Sequence, residues 1–305
     1  MRKRLKIYLL FSLILVLLGS LTVFVIIPVI GKNKLLYLPH KEQYLFPHDV
    51  AMIYENVTIT TSDGLELKGW YVDPKNSSHP NSNITLIVLH GVAHSKARML
   101  DYYGEGFYNL GYRILYFDSR NRGESPDTEL GITWGIDEVK DVKAAVDFVR
   151  AQPEVNDSQV VLFGISQGAA TMLFYTAQYN DVSAIIADSS WSYGDTMIKQ
   201  AFPVWTGFPW IVFGQITIAK MENHFRFTFA DISPVVNATT ITTPCYIIHG
   251  LDDFEINPDS LDDIIVALPE NTTKLYWKVP NRAHVESYLD PNYFTNIADF
   301  ISDLF

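Results

Sequence analysis

A chain of 305 residues with 48% hydrophobic and 13% aromatic side chains can bury one large core, and a formal charge of −11 opposes binding to a polyanionic nucleic acid. The lone cysteine, Cys245, excludes an intramolecular disulfide and any cysteine-based metal site. Six Asn-x-Ser/Thr sequences, at Asn56, Asn76, Asn83, Asn156, Asn237 and Asn271, would matter in a glycosylating host.

The amino-terminal stretch from Leu5 to Ile30 carries no charged residue after Lys6. Its roughly two dozen apolar positions reach across a hydrocarbon core of about 30 Å, whereas the apolar region of a cleaved signal peptide runs for only about 7–15 residues. We therefore expect an uncleaved membrane anchor over residues 1–30. Arg2, Lys3, Arg4 and Lys6 outnumber Lys32 and Lys34 on the far flank, which puts the amino terminus in the cytoplasm and the remainder outside.

Residues 31–56, with Pro39, Pro47 and little periodicity, read as a tether, and one domain is expected over 57–305. It opens with a hairpin, strands at 57–60 and 65–72 around Ser62-Asp63-Gly64. A polar loop over 73–83 leads to a buried strand at 84–89, which delivers His90-Gly91-Val92. Alternation follows: helix 96–109, strand 112–117, helix 134–151, strand 159–163, helix 167–179 and strand 183–187. Such alternation implies parallel strands joined by right-handed crossovers.

Residues 189–237 break the pattern. They are dense in bulky groups, among them Trp191, Phe202, Trp205, Phe208, Trp210 and Phe213, and read as a helical cap with an apolar pocket beneath it. Strands at 245–248 and 274–279 complete the sheet.

The chemistry collects at the carboxyl ends of these strands, the edge where open parallel sheets bind ligands. Gly164-Ile165-Ser166-Gln167-Gly168 lies between an apolar strand and a helix-forming run, the order that lifts a serine hydroxyl out of a sheet as a nucleophile. His284, after the last strand, is the candidate general base. A carboxylate must hold the other ring nitrogen of that histidine, and the loop after Ile248 offers both Asp252 and Asp253. The backbone N–H groups of Val92 and Gln167 are the candidate oxyanion donors. No cofactor or metal is called for by this chemistry.

With Ile165-Ser166-Gln167, His90-Gly91, Phe117-Asp118-Ser119-Arg120-Asn121-Arg122-Gly123-Glu124-Ser125, His249-Gly250-Leu251-Asp252-Asp253 and His284 in this order, the chain resembles the α/β-hydrolase superfamily. More narrowly, it looks like the membrane-anchored serine hydrolases with a prolyl-oligopeptidase-like core. The resemblance implies a mostly parallel eight-stranded sheet with helices on both faces. It also selects Asp253, the fourth residue after the histidine of the His-Gly loop, as the acid. Asn121 departs from the family's usual glycine, and Gln167 from its commoner methionine or glycine-like neighbour of the serine.

The activity implied is hydrolysis of a small-molecule or lipid-like ester with an apolar part. A peptidase or amidase using Ser166, Asp253 and His284 is the alternative, and a non-catalytic surface binding module is a more distant one. His249 is expected to pack or bond locally, and the Asp118–Gly123 turn to serve loop architecture.

Overall fold

The computed structural model describes residues 2–155 and 159–305, so the Asn156 sequence lies outside the described part. Helix α1 (Arg2–Leu21) runs through a π-wound stretch, Thr22–Ile26, into α2 (Ile27–Leu36). Beyond Lys6, α1 is apolar on every face and exposed to its end at Leu21, and Arg4–Leu36 is long and apolar enough to cross a membrane. The end of this helix behaves differently.

In α2 the buried residues are Pro28, Gly31, Leu35 and Leu36, spaced as one helical stripe. The segment expected as a tether is thus packed rather than free. Leu36 O accepts the Ile132 N–H at 3.0 Å, Leu38 O accepts Arg122 Nη2 at 2.8 Å, and His40 bonds the Gly123 carbonyl and Asp127. The absence of periodicity beyond residue 36 hid these contacts, because they are made by backbone carbonyls and one imidazole rather than by an apolar stripe.

Strands β1 (Tyr54–Thr60) and β2 (Glu66–Val72) form the hairpin, and Gly64, at φ 85°, allows its turn. After β3 (Ile84–Leu89) come α3 (Lys96–Met99), a π-wound turn and α4 (Glu105–Asn109). Then follow β4 (Arg113–Phe117), α5 (Glu138–Arg150), β5 (Gln159–Ile165), α6 (Gln167–Tyr179) and β6 (Ala184–Asp188). The helix expected from 134 begins at Glu138. Trp134 and Gly135 have positive φ, and the Glu138 carboxylate takes the Thr133 and Gly135 N–H groups, which closes a turn there instead.

The region 189–237 is helical, with α7 (Gly194–Thr206), a π-wound turn over Trp210–Gly214, α8 (Gln215–Phe225) and α9 (Pro234–Ala238). The chain closes with β7 (Cys245–Gly250), α10 (Ser260–Ala267), β8 (Lys274–Val279) and α11 (Tyr293–Ser302).

One eight-stranded sheet has the order β1-β2-β4-β3-β5-β6-β7-β8, with β2 antiparallel to both neighbours and all other pairs parallel. Every residue of β3, β6 and β7 is buried, as continuous apolar runs require when helices cover both faces. Burial pushes the Cys245 thiol in β7 up to about 12, which leaves it an inert packing group. Gly31 of α2 approaches α8 so closely that a Cβ there would lie 3.2 Å from the Thr217 side chain, so the long helix docks onto the inserted helices.

Candidate active site

Ser166 stands between the end of β5 and the start of α6, at φ 51° and ψ −119°. That backbone conformation is strained for a residue with a side chain and persists only where its surroundings impose it. Ser166 N–H donates to Asp188 O at 2.8 Å, and Ser166 O accepts the Ala170 N–H at 3.1 Å. A Cβ on Gly164 would lie 2.5 Å from the Gly168 carbonyl carbon, and one on Gly168 would lie 2.4 Å from Leu89 O. Both flanking glycines are therefore required by backbone contact across β3, β5 and α6.

His284 Nε2 lies 3.0 Å from Ser166 Oγ, and His284 Nδ1 lies 2.6 Å from Asp253 Oδ2. An ionised carboxylate only accepts hydrogen bonds, so Nδ1 carries a proton, and in the neutral ring Nε2 is left to accept one from the serine hydroxyl. Asp253 is 5% exposed, at the loop after β7, whereas Asp252 faces solvent. Burial alone would raise the Asp253 carboxyl. Hydrogen bonds from His249 and His284 outweigh it and hold the group well below the usual carboxylate range. Burial likewise opposes a charged His284, and Asp253 overcomes that and raises the imidazole above its ordinary value.

His249 does more than fill space. Its Nε2 lies 2.9 Å from Asp253 Oδ2, the same oxygen that His284 engages, while the N–H groups of Glu255 and Ile256 donate to Oδ1 at 2.9 Å each. Four donors thus fix both oxygens of the carboxylate. The four-residue separation of His249 and Asp253 was visible in the sequence, but across a strand-to-loop turn it marks no shared face.

A second carboxylate, Asp188 at the end of β6, escaped sequence reasoning altogether. It is fully buried, and its oxygens accept from Ser189 Oγ (2.9 Å), Ser287 Oγ (3.1 Å) and Tyr293 OH (2.8 Å). Ser189 Oγ in turn accepts the N–H of Val285, whose φ is 60°. Asp188 therefore grips the His284 loop with its side chain and Ser166 with its backbone. Burial raises its carboxyl despite these hydrogen bonds.

On the opposite side of Ser166, the turn after β3 comes so close that a Cβ on Gly91 would sit 3.2 Å from Ser166 Cβ. His90 Nε2 accepts the Ser119 N–H at 3.1 Å, and Nδ1 bonds Gly91 O at 2.9 Å, which ties the turn to the loop after β4. Burial lowers His90 to about 4 and His94 to about 3, so both stay neutral. Val92 lines the pocket at Ser166, and Gln167 opens α6, where the first helical N–H groups lack intrahelical partners. The pocket has a volume of about 260 Å³, between Gly91–His94 on one side and Tyr102, Trp205, Glu255 and Tyr288 on the other. Trp205 of α7 donates its Nε1–H to Glu255 at 3.1 Å and stacks on Trp134.

Residues 84–211 match the family described as the alpha/beta hydrolase fold. The chain has the α/β-hydrolase fold. Among solved structures, it is similar to the esterase Pf2001 of Pyrococcus furiosus, with a TM-score of 0.73 and 20% identity over 89% of this chain and 98% of that one. An acylaminoacyl peptidase of Pyrococcus horikoshii gives a TM-score of 0.63 at 18% identity, covering 82% of this chain and 41% of that longer one. By sequence, the chain is 26% identical to YfhR of Escherichia coli over 257 residues, covering 81% of this chain and 80% of that one. It is 22% identical to protein bem46 of Schizosaccharomyces pombe over 264 residues, covering 86% and 81%.

The loop after β4 has the role expected of it. Asp118 is fully buried and takes Lys96 Nζ at 2.6 Å, while Arg120 bridges Asp141 and Asp63. Asn121 takes the glycine position at φ 62°, a left-handed conformation that asparagine tolerates. Its amide repays the substitution by bonding Gly131 O and Thr128.

Proposed function

We propose that the protein is a serine carboxylester hydrolase in which Ser166 is the nucleophile, His284 the general base and Asp253 the residue that orients and stabilises the imidazole. The observation that carries this reading is the continuous chain from Ser166 Oγ to His284 Nε2 at 3.0 Å and from His284 Nδ1 to Asp253 Oδ2 at 2.6 Å.

Attack of Oγ on the ester carbonyl passes the hydroxyl proton to His284 Nε2 and forms the Ser166–acyl bond. The N–H groups of Val92 and Gln167 receive the developing oxyanion. As the carbon–oxygen bond of the ester breaks, His284 returns the proton to the leaving alkoxide, which departs as the alcohol. Water then attacks the acyl-enzyme, gives one proton to His284, and the carboxylic acid leaves as Ser166 regains its hydroxyl proton.

The apolar helix ending at Leu36 is read as an uncleaved anchor, with the basic amino terminus in the cytoplasm and the hydrolase domain outside. Its length and composition support this reading, as does the packing of α2 into the domain. An amide substrate would use the same residues, and the likeness to an acylaminoacyl peptidase keeps that chemistry in the assay panel.

Ser166→Ala is expected to lower p-nitrophenyl ester turnover by a factor on the order of 10⁶ and to abolish fluorophosphonate labelling without unfolding the chain. Turnover that survives this substitution would sink the proposal.

A further inference from the structure

The pocket at Ser166 adjoins a second space. Val92, Ala93 and Trp205 are shared with a cavity of about 130 Å³ whose remaining lining is Lys34, Leu35, Leu38 and Trp134. Leu35 and Trp134 are fully buried, and the Lys34 ammonium is engaged elsewhere, donating to Thr206 O at 2.8 Å beside the Phe208 ring. Trp205 is shared once more with a groove along Ile30, Lys34, Tyr37 and Leu38. Neighbouring cavities with shared walls thus line up from the serine to the flank of α2, the end of the long apolar helix.

In the other direction the chemistry changes. There the pocket at Ser166 shares Ala93 and His94 with a recess that bears His40, Lys41, Glu42 and Arg98. A long hydrocarbon chain attached to a carbonyl at Ser166 has one apolar direction to take. The π-wound turn of the inserted helices contacts α2 and leaves Ile211 91% exposed, so the line of cavities ends beside apolar surface that suits a lipid environment.

Resting on the hydrolase reading above, we propose that this cavity is an acyl-chain subsite and that the substrates are esters of long unbranched fatty acids of the kind held in a bilayer. The chain lies between the end of the anchor helix and the turn after β3. Each methylene removed from water is worth about a fourfold gain in binding, so chain length is the property that such a site reads.

The test uses full-length protein in phosphatidylcholine vesicles, supplied with the 4-methylumbelliferyl esters of acetate, octanoate and dodecanoate. kcat/KM for the dodecanoate is expected to exceed that for the acetate by about tenfold or more, from burial of a few methylenes. Leu38→Trp, which fills the cavity, is expected to bring the ratio near one. A wild-type ratio near one, or a folded L38W protein with the wild-type ratio, overturns the subsite. Ala93→Phe narrows the same opening from an exposed position and carries the same expectation if L38W does not fold. Failure of the wild type to cleave even the acetate, or cleavage that persists in Ser166→Ala, would instead remove the hydrolase reading, so the two failures are distinct.

Discussion

Asp253 accepts from two imidazoles at one oxygen and from two backbone amides at the other, which leaves it little freedom to rotate or to take a proton. The consequence falls on His284. Burial favours its neutral form, yet the carboxylate beside it raises its proton affinity above that of free imidazole. The general-base role proposed for His284 needs Nε2 unprotonated, so kcat/KM for p-nitrophenyl acetate should fall about tenfold per pH unit on the acid side of a midpoint above about 6.5. Asp253→Asn removes the cause and should move that midpoint down while lowering the rate. A profile in which the midpoint stays in place after D253N would show that another group controls the limb. Ser166, His284 and a carboxylate after β7 were legible from motif and order, because each stands just past a strand. Asp188 and His249 were not, since their partners are separated from them by turns or by about a hundred residues of chain.

Three elements meet at Ser166, and their closeness is set by hydrogen atoms where side chains would otherwise be. Gly168 faces Leu89 O and His90 O, at 2.4 and 2.7 Å from an added Cβ, and backbone oxygens in a central strand cannot swing away as a flexible side chain could. Gly168→Ala must therefore push α6 off β3 or tilt the Ser166 turn. We expect a loss of about 1–3 kcal/mol or more, read as a lower urea midpoint, together with reduced labelling of Ser166. An unchanged midpoint would mean that the strand-to-helix turn is more tolerant than its contacts imply. At this scale the sequence was most readable where strands are covered on both faces, as in β3 and β7, and least readable over 133–137. There a glutamate side chain and two positive-φ residues write a turn in place of the first helical residues.

The longest helix is exposed over its first part and packed over its last, and the change falls inside it. From α1 to Ile26 almost every side chain is exposed and apolar, whereas from Pro28 onward a stripe of four residues is buried against the helices of 189–237. Composition alone placed the end of the anchor at residue 30, because Ile27, Val29 and Leu35 look the same to a hydropathy scan whether lipid or protein receives them. The fold separates the two cases, and truncation can test the separation. A chain beginning at Ile27 keeps Gly31, Leu35 and Leu36 in place and should be soluble, monodisperse and reactive with a fluorophosphonate. A chain beginning at Pro39 loses two fully buried leucines, each worth about 1.5–3 kcal/mol, and uncovers apolar faces of α7 and α8. It should elute as aggregates or unfold at a markedly lower temperature, and its ester turnover should fall with it, since the wall of the pocket at Trp205 leans on the same helix. Equal melting temperatures for the two truncations would mean that α2 belongs with the membrane span and that its contacts with the domain contribute no stability.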